Sequence, residues 1–284
     1  MRVFLAICVA LTGVAVSAAP QVSTRYRSRY AKALESTHNA PKPRIDGGQE
    51  AVPHSFPYQV FVELYYSPSY GTYCGGVLIS ANYVLTAAHC IDSIYIAYVI
   101  LGAHNLKQTE NTAVLRISEE MKPHENFSVF YYPNDIALIK LSESVEFTDA
   151  IQPVALPKRS DVDNTFVDAV GTISGWGATD YVDDSMSSVL NYVNVKVITN
   201  RSCRLVFGGL VVDSMVCTSG LNHASTCLGD NGGPLVVNGV LVGIASYYSE
   251  GCGDLEAPSG FTRVTSFLDW IEKNSDVITQ ACEI

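Results

Sequence analysis

Short strand-like segments, repeated along most of the chain, constrain its fold more than any other feature. Between residues 45 and 264, runs rich in β-branched and aliphatic side chains alternate with turn residues. The predicted strands are 61–64, 76–79, 83–86, 136–139, 193–197 and 240–244. The 21 Gly, 12 Pro and 16 Tyr agree with an all-β protein that has many turns. Only the last segment has a helical pattern, in which Ser266 and Asp269 resemble a capping box.

Charge and hydrophobicity exclude several classes of function. The 284 residues include 18 basic and 28 acidic side chains, which gives a net charge of −10. Because 48% of the residues are hydrophobic and only 16% are charged, the chain can bury a sizeable core in one large domain or two small ones. The acidic balance argues against binding to nucleic acid or to an anionic membrane surface, since both interactions depend on Lys and Arg.

The first 44 residues differ from the rest in composition. Arg2 precedes a largely apolar run, and Val16-Ser-Ala18 has the small residues of a cleavage site. Residues 1–18 are therefore predicted to be a secretory signal peptide, and the protein to be secreted and extracellular. The alternative is an N-terminal anchor, although the run is short for a membrane span. Residues 19–44, with six basic side chains and one acidic, are predicted to be a basic prosegment that either lies weakly against the acidic remainder or stays solvated.

Seven cysteines remain after the predicted signal peptide. In a secreted chain they indicate disulfides, and metal binding is disfavoured because there is no CxxC pair and His is sparse. Sequential pairing would join Cys74 with Cys90, Cys203 with Cys217 and Cys227 with Cys252, leaving Cys282 unpaired. The sequence does not by itself determine this connectivity. Cys282 is predicted to be either a free thiol or an intermolecular bridge, so the protein is a monomer or a Cys282-linked dimer.

Three motifs on this frame carry residues of catalytic type. Leu85-Thr-Ala-Ala-His-Cys90 presents His89, Tyr132-Pro-Asn-Asp-Ile-Ala-Leu138 presents Asp135, and Gly229-Asp-Asn-Gly-Gly-Pro234 is a glycine-rich turn. Further motifs are Arg44-Ile-Asp-Gly-Gly48, Cys74-Gly-Gly76, Ser174-Gly-Trp-Gly177 and Pro258-Ser-Gly-Phe-Thr-Arg-Val264. Together they resemble the chymotrypsin-like serine peptidases, whose chain order is His, Asp, Ser. The resemblance covers residues 45–284, and the ending 261–270 is most similar to arthropod digestive members.

The resemblance implies a fold and an activation step. The expected fold is two six-stranded antiparallel Greek-key β-barrels with a C-terminal helix, forming a peptidase domain over residues 45–284 with the site between the barrels. It also implies the three sequential disulfides. A trypsin-like protease would cleave after Arg44, and the new amino group of Ile45 would pair with Asp230, lowering the pKa of that carboxyl group.

Asn231 departs from the family pattern at the position of the nucleophilic serine. A carboxamide nitrogen is not a usable nucleophile, and losing the serine costs on the order of 10⁶ in rate. The sequence therefore predicts a catalytically inactive pseudoprotease, not an enzyme, which binds a protein or peptide in the former substrate cleft. Two alternatives are an active serine-type endopeptidase, if Asn231 is not the native residue, and a structural or reserve protein of a secretion.

The rest of the site follows from the same resemblance. His89 and Asp135 would form an orienting pair, the amides of Gly229 and Asn231 an oxyanion hole, and the Asn231 side chain could donate to His89. Ser225 would lie at the base of a specificity pocket, and Tyr132 on the rim of the cleft. The other predicted pocket residues are Ser246, Tyr247, Tyr248 and Ser259, of which Tyr248 and Ser259 would narrow the pocket.

No cofactor or metal is expected. In the stretch Leu101-Gly-Ala-His-Asn105, Ala103 replaces a carboxylate that some relatives use to bind calcium, and Glu110 alone is a poor calcium site. Asn126-Phe-Ser128 and Asn200-Arg-Ser202 match the N-glycosylation pattern, so Asn126 and Asn200 are both candidate acceptors.

Overall fold

The computed structural model describes residues 48–118, 120–130, 132–178, 185–247 and 256–279. Several predicted features lie outside these residues, namely the signal peptide, the prosegment, Arg44, Ile45, Tyr248, Cys252 and Cys282.

One antiparallel sheet is built mainly from the first half of the chain. Its strands are β2 (Gln59–Ser67), β3 (Tyr70–Leu78), β4 (Tyr83–Thr86), β5 (Ile96–Leu101), β6 (Val114–Ser118), β7 (Met121–Pro123) and β8 (Ala137–Lys140). Across the sheet they are arranged in the order β6-β5-β2-β3-β4-β8-β7.

The second antiparallel sheet is built mainly from the second half of the chain. Its strands are β1 (Gln49–Glu50), β9 (Val170–Gly175), β10 (Asn191–Ile198), β11 (Met215–Gly220), β12 (Pro234–Val237), β13 (Val240–Tyr247) and β14 (Glu256–Arg263). Their order in the sheet is β1-β10-β11-β14-β13-β12-β9, and the sheet closes on itself because β10 pairs with β9 as well as with β11.

The two sheets agree with the predicted chymotrypsin-like fold. Each has seven strands instead of the expected six, since the two-residue β1 and the three-residue β7 add one short edge strand to each sheet. The six strands predicted from the sequence lie almost entirely within β2, β3, β4, β8, β10 and β13.

Alternating burial explains why these segments form strands. In β5, Ala97, Val99 and Leu101 are buried while the residues between them are half-exposed. In a strand successive side chains point to opposite faces, so one face of β5 joins the core and the other faces outward. The neighbouring β2 is buried over most of its length, because β3 and β5 pair with it on either side.

Three α-helices complete the described part of the chain: α1 (Ala88–Ile91), α2 (Asn200–Phe207) and α3 (Leu268–Asn274). The predicted capping box at Ser266 is wrong, because Val264–Phe267 forms a 3₁₀ turn and no side chain caps α3. Leu268 and Ile271 instead anchor α3 by burial in the core of the first sheet. None of the described helices combines the length and apolar character that a membrane span requires.

Disulfides fix both short internal helices. Cys74–Cys90 joins β3 to α1, and Cys203–Cys217 joins α2 to β11. Their sequence separations are 16 and 14 residues, and each stabilises the fold by roughly 3 kcal/mol in the chain-entropy model. Cys227 is also disulfide-bonded, and its predicted partner lies outside the described residues.

Candidate active site

His89 and Asp135 meet at the centre of the site. His89 lies in α1 directly after β4, and Asp135 lies just before β8, the strand that pairs with β4. The Asp135 Oδ2 atom is 2.7 Å from His89 Nδ1, and the backbone N–H of His89 donates to Oδ1 at 2.9 Å. Since a carboxylate only accepts hydrogen bonds, His89 carries its proton on Nδ1 and leaves Nε2 as a proton acceptor.

The carboxylate of Asp135 is fully buried and held by a third donor. Ser246 Oγ donates to Asp135 Oδ2 at 2.6 Å, and Thr262 Oγ1 donates to the Asp135 carbonyl at 2.7 Å. Three hydrogen bonds to its oxygens stabilise the buried charge. Ser246 was predicted only as a pocket residue. No local motif could place it against Asp135, which is 111 residues away in the chain.

The turn over residues 227–233 is fixed from both sheets. Gly75 of β3 donates to the Asn231 carbonyl at 2.7 Å, while Gly232 donates to the Ala245 carbonyl of β13 at 2.8 Å. Gly229 and Gly232 have φ values of 95° and 79°, which only glycine adopts readily. The amides of Gly229 and Asn231 donate to no other described residue, so both remain available to a ligand oxygen.

The side chain of Asn231 is poorly accommodated in this turn. Its Oδ1 atom is buried and has no hydrogen-bond partner among the described residues. The predicted bond from Asn231 to His89 is wrong, since the contact of His89 Nε2 is Cys90 Sγ at 3.7 Å. Asp135 holds the imidazole ring, and backbone bonds from both sheets hold the main chain of the turn.

Asp230 is part of this turn, and its side chain is buried. Its carboxylate accepts from the backbone N–H groups of Gly177, at 2.9 Å, and Cys227, at 3.0 Å. Burial raises the pKa of Asp230 to about 6, which these two hydrogen bonds only partly offset. The lowering of this pKa was predicted for the cleaved protein, in which Ile45 pairs with Asp230. Ile45 lies outside the described residues, so that lowering stays a prediction.

The predicted specificity pocket has an uncharged, hydroxyl-rich base. Ser259 Oγ accepts from the backbone N–H and the hydroxyl of Thr226, both at 3.1 Å. Ser225 Oγ is buried and has no hydrogen-bond partner among the described residues. The Tyr247 ring packs edge-on against Phe207 at 4.8 Å, and a Cβ atom added to Gly260, which follows Ser259, would lie 2.2 Å from it. The place of Tyr247 in the pocket stays a prediction.

Tyr132 covers the outer side of His89. The two ring centroids are 5.5 Å apart in an edge-to-face arrangement, and Phe127 supports the tyrosine from behind at 6.3 Å. Burial and the nearby Asp135 charge raise the pKa of Tyr132. The hydroxyl therefore stays protonated, and the ring serves as a wall of the cleft.

A second cleft, of about 650 Å³, lies along β2 and β3, and the sequence did not predict it. Its walls are β2, β3 and the segments 106–107 and 185–188, with Phe61, Tyr73 and Met186 among the apolar contacts. Tyr73 connects the cleft to the turn, since a Cβ atom added to Gly229 would lie 2.5 Å from its ring. Tyr73 thus lies between Gly229 and this cleft.

Comparison with known proteins identifies the family. The Trypsin family model matches residues 45–271. The chain is 41% identical to brachyurin of Leptuca pugilator over 82% of this chain and 99% of that protein. It is 39% identical to chymotrypsin of Phaedon cochleariae over 87% of this chain and 88% of that protein. The structure of HL collagenase superposes with a TM-score of 0.74 at 36% identity, covering 81% of this chain and 98% of that one.

The chain belongs to the trypsin-like serine protease family. This confirms the resemblance to the family that was predicted from the sequence, including the similarity to its arthropod members. The prediction that the protein is not an enzyme is contradicted, because the similar proteins bear the names of proteases: brachyurin, chymotrypsin and collagenase. The findings point to a serine endopeptidase. Asn231 is a single departure in a site that keeps the His89–Asp135 pair.

In the described part of this trypsin-like protein, several ligand atoms of the two candidate cation sites already take part in other bonds. Cys74, His89 and Cys90 lie close together, but both sulfurs are committed to a disulfide. The carboxylate of Glu110 accepts from the backbone N–H groups of His104, at 2.6 Å, and Asn105, at 3.0 Å. Glu110 thus closes its own loop by hydrogen bonds, a role that the sequence did not reveal.

Proposed function

We propose that this protein has the fold and site of a secreted serine-type endopeptidase, which binds an extended peptide between its two sheets and, with serine at position 231, hydrolyses it at the site of His89. The observation that carries the proposal is the His89–Asp135 pair, with its 2.7 Å hydrogen bond between Nδ1 and the buried carboxylate. Residues 1–18 direct secretion, and cleavage by a trypsin-like protease between Arg44 and Ile45 activates the chain.

The reaction requires a hydroxyl group at position 231. His89 Nε2 takes the hydroxyl proton as the oxygen attacks the substrate carbonyl carbon, and Asp135 stabilises the imidazolium that forms. The amides of Gly229 and residue 231 bind the oxyanion. The imidazolium then gives its proton to the leaving amine as the C–N bond breaks, and water repeats the sequence to release the acid.

Asn231 cannot supply this hydroxyl, yet the turn is not rebuilt around it. Its buried, unpartnered Oδ1 indicates a site shaped for a smaller polar side chain. We therefore assign the endopeptidase activity to the protein with serine at position 231. With asparagine, the oxyanion hole and peptide binding alone leave a residual acceleration of about 10³–10⁴ over water.

The pocket supports cleavage after uncharged residues. Ser225, Thr226 and Ser259 bring hydroxyl groups and no carboxylate to its base. A Lys or Arg side chain entering the pocket would lose its hydration without gaining an ion pair, which is costly. Peptides with an uncharged residue at the cleaved bond are the proposed substrates.

The deciding experiment compares the Arg44-cleaved protein carrying Asn231 with its Asn231→Ser variant on peptide amides. We expect Asn231→Ser to raise kcat by several orders of magnitude, towards the roughly 10⁶-fold effect of the nucleophile. The double variant Asn231→Ser/His89→Ala is the control and should lose this gain. An Asn231→Ser protein that is folded, cleaved and still no faster than the His89→Ala control would overturn the proposal.

A further inference from the structure

Two Asn-X-Ser patterns in the chain differ in what the fold does with the asparagine side chain. N-linked glycosylation joins the sugar to Asn Nδ2, which loses one of its two hydrogens, and the bulky product has to lie at the surface. An asparagine whose Nδ2 hydrogens both serve the fold can therefore carry a sugar only by giving up a structural hydrogen bond, whereas an exposed one without such bonds can carry it without that cost.

Asn200 uses its side chain inside the protein. It is the first residue of α2, it is only partly exposed, and its Nδ2 donates to the carbonyls of Val212, at 3.1 Å, and Met215, at 3.0 Å. A sugar on Nδ2 would remove one of these bonds and compete with a carbonyl for the same space. The helix cannot swing away to make room, because Cys203 ties it to β11.

The serine of the same pattern is also occupied. Ser202 Oγ lies 2.9 Å from the hydroxyl of Thr199, and the backbone N–H of Ser202 donates to that hydroxyl as the helix cap. Both ends of the pattern thus belong to the internal bonding of α2.

Asn126 has the opposite arrangement. It is exposed, in a turn that follows β7, and its side chain bonds to no other described residue. Only its main chain is held: its N–H donates to His124 Nδ1 at 3.2 Å, and its carbonyl accepts from Asn134 Nδ2 at 2.9 Å. The turn is therefore fixed while the carboxamide is free to project into solvent.

The surface beside Asn126 also suits a solubilising sugar. Val129 and Phe130 are 49% and 82% exposed, an apolar pair three and four residues further along the same loop. A polar polymer attached at Asn126 would screen this pair from contacts with other proteins.

We infer that Asn126 carries an N-linked glycan and that Asn200 is left unmodified. The inference rests on the proposed secretion but not on the proposed peptidase activity. The Asn126 carbonyl is bonded to Asn134, which directly precedes Asp135. The glycan is therefore attached to the loop that carries Tyr132, the residue beside His89.

The test is expression of the full chain in a eukaryotic secretory host, behind a heterologous signal peptide and with an added C-terminal acceptor tag. Modification of the tag reports that the chain has entered the secretory pathway, independently of residues 1–18. The matched variants are Ser128→Ala and Ser202→Ala, which each remove one pattern and keep its asparagine. Intact mass before and after treatment with an N-glycosidase measures the number of glycans.

We expect one glycan besides the tag, lost in Ser128→Ala and retained in Ser202→Ala. Peptide mapping after the glycosidase should find aspartate in place of Asn126 and unchanged Asn200. A chain with a modified tag and an unmodified Asn126 would overturn the inference, as would glycosylation of Asn200 in the folded protein. A native chain that fails to leave the cell would count against the proposed signal peptide only.

Discussion

The Asn231 carboxamide is the most informative single group in the site, because its buried Oδ1 atom has no hydrogen-bond partner among the described residues. Leaving a buried acceptor unsatisfied costs about 1–3 kcal/mol, and Asn231 Oδ1 is such an acceptor. Asn231→Ser should therefore raise the free energy of unfolding by about 1 kcal/mol or more, measured by urea denaturation. Asn231→Ala is the control: it should give a similar gain in stability without peptidase activity. Loss of stability in both variants would show that the amide is satisfied.

Ser246 is expected to act as a positioning residue for the catalytic pair. Its hydroxyl donates to Asp135 Oδ2 at 2.6 Å, and hydrogen bonds to charged groups contribute about 1.5–3 kcal/mol. In the Asn231→Ser background, Ser246→Ala should lower kcat by about 10- to 100-fold with little change in KM, since the lost bond supports the developing imidazolium. Rescue by Ser246→Thr, which keeps the hydroxyl, would exclude a purely steric effect. An unchanged kcat in Ser246→Ala would contradict the role.

At the scale of elements, the loop between β5 and β6 is closed by one carboxylate. Glu110 accepts two backbone N–H groups, from His104 and Asn105, so Glu110→Ala should lower the free energy of unfolding by about 2–3 kcal/mol. Glu110→Gln keeps an acceptor oxygen and should lose less stability.

Calcium should not stabilise this loop. Because the Glu110 carboxylate already accepts two hydrogen bonds and Ala103 offers no ligand, the melting temperature should be the same with calcium and with a chelator. A calcium-dependent rise would contradict this interpretation of the loop.

The short helix α1 shows how one element serves both stability and catalysis. The disulfide from Cys90 to Cys74 fixes its position against β3, and the same helix presents His89 to Asp135. Asp135 comes from the adjoining β8 end, so strand pairing between β4 and β8 brings the two side chains together. The first sheet therefore brings the catalytic pair together, and Ser246 and Thr262 of the second sheet hold Asp135 in place. The turn carrying residue 231 leads into β12 of the second sheet.

At the scale of the whole molecule, Asp230 makes stability depend on pH. Burial raises its pKa from 3.8 to about 6, so the folded state binds this proton more tightly than the unfolded state does. Its contribution to stability is fully present below pH 4 and is lost as the pH rises to about 6. In the uncleaved protein, Asp230→Asn should therefore abolish a fall in melting temperature between pH 4 and 6.

Cleavage at Arg44 should reverse this trend. An ammonium group at Ile45 that pairs with Asp230 would favour the ionised carboxylate and lower its pKa, so the cleaved protein should gain melting temperature at pH 7 relative to the uncleaved one. Asp149→Asn, at an exposed acidic position, is the control for the general effect of losing one negative charge. Identical pH profiles for the cleaved and uncleaved proteins would contradict the ion pair.

Local pattern was enough to predict six of the strands and to recognise the motifs of this protein, and the family resemblance of those motifs implied the two disulfides that are observed. Strand periodicity and turn residues act over a few positions, so 83–86 and 193–197 could be recognised without knowing their neighbours. The C-terminal helix was also predictable, but its start was not, because burial of Leu268 and Ile271 replaces the capping bond that Ser266 suggested.

Only the tertiary structure decided which polar groups are satisfied and which are free. Ser246 reaches Asp135 across 111 residues, the Asn200 side chain is used internally while that of Asn126 is not, and Asn231 Oδ1 finds no partner among the described residues. The sign of the Asp230 pKa shift likewise depends on how deeply its carboxylate is buried. Hydrogen bonding and desolvation depend on atoms brought together from distant parts of the chain, and no pattern of adjacent residues encodes those distances.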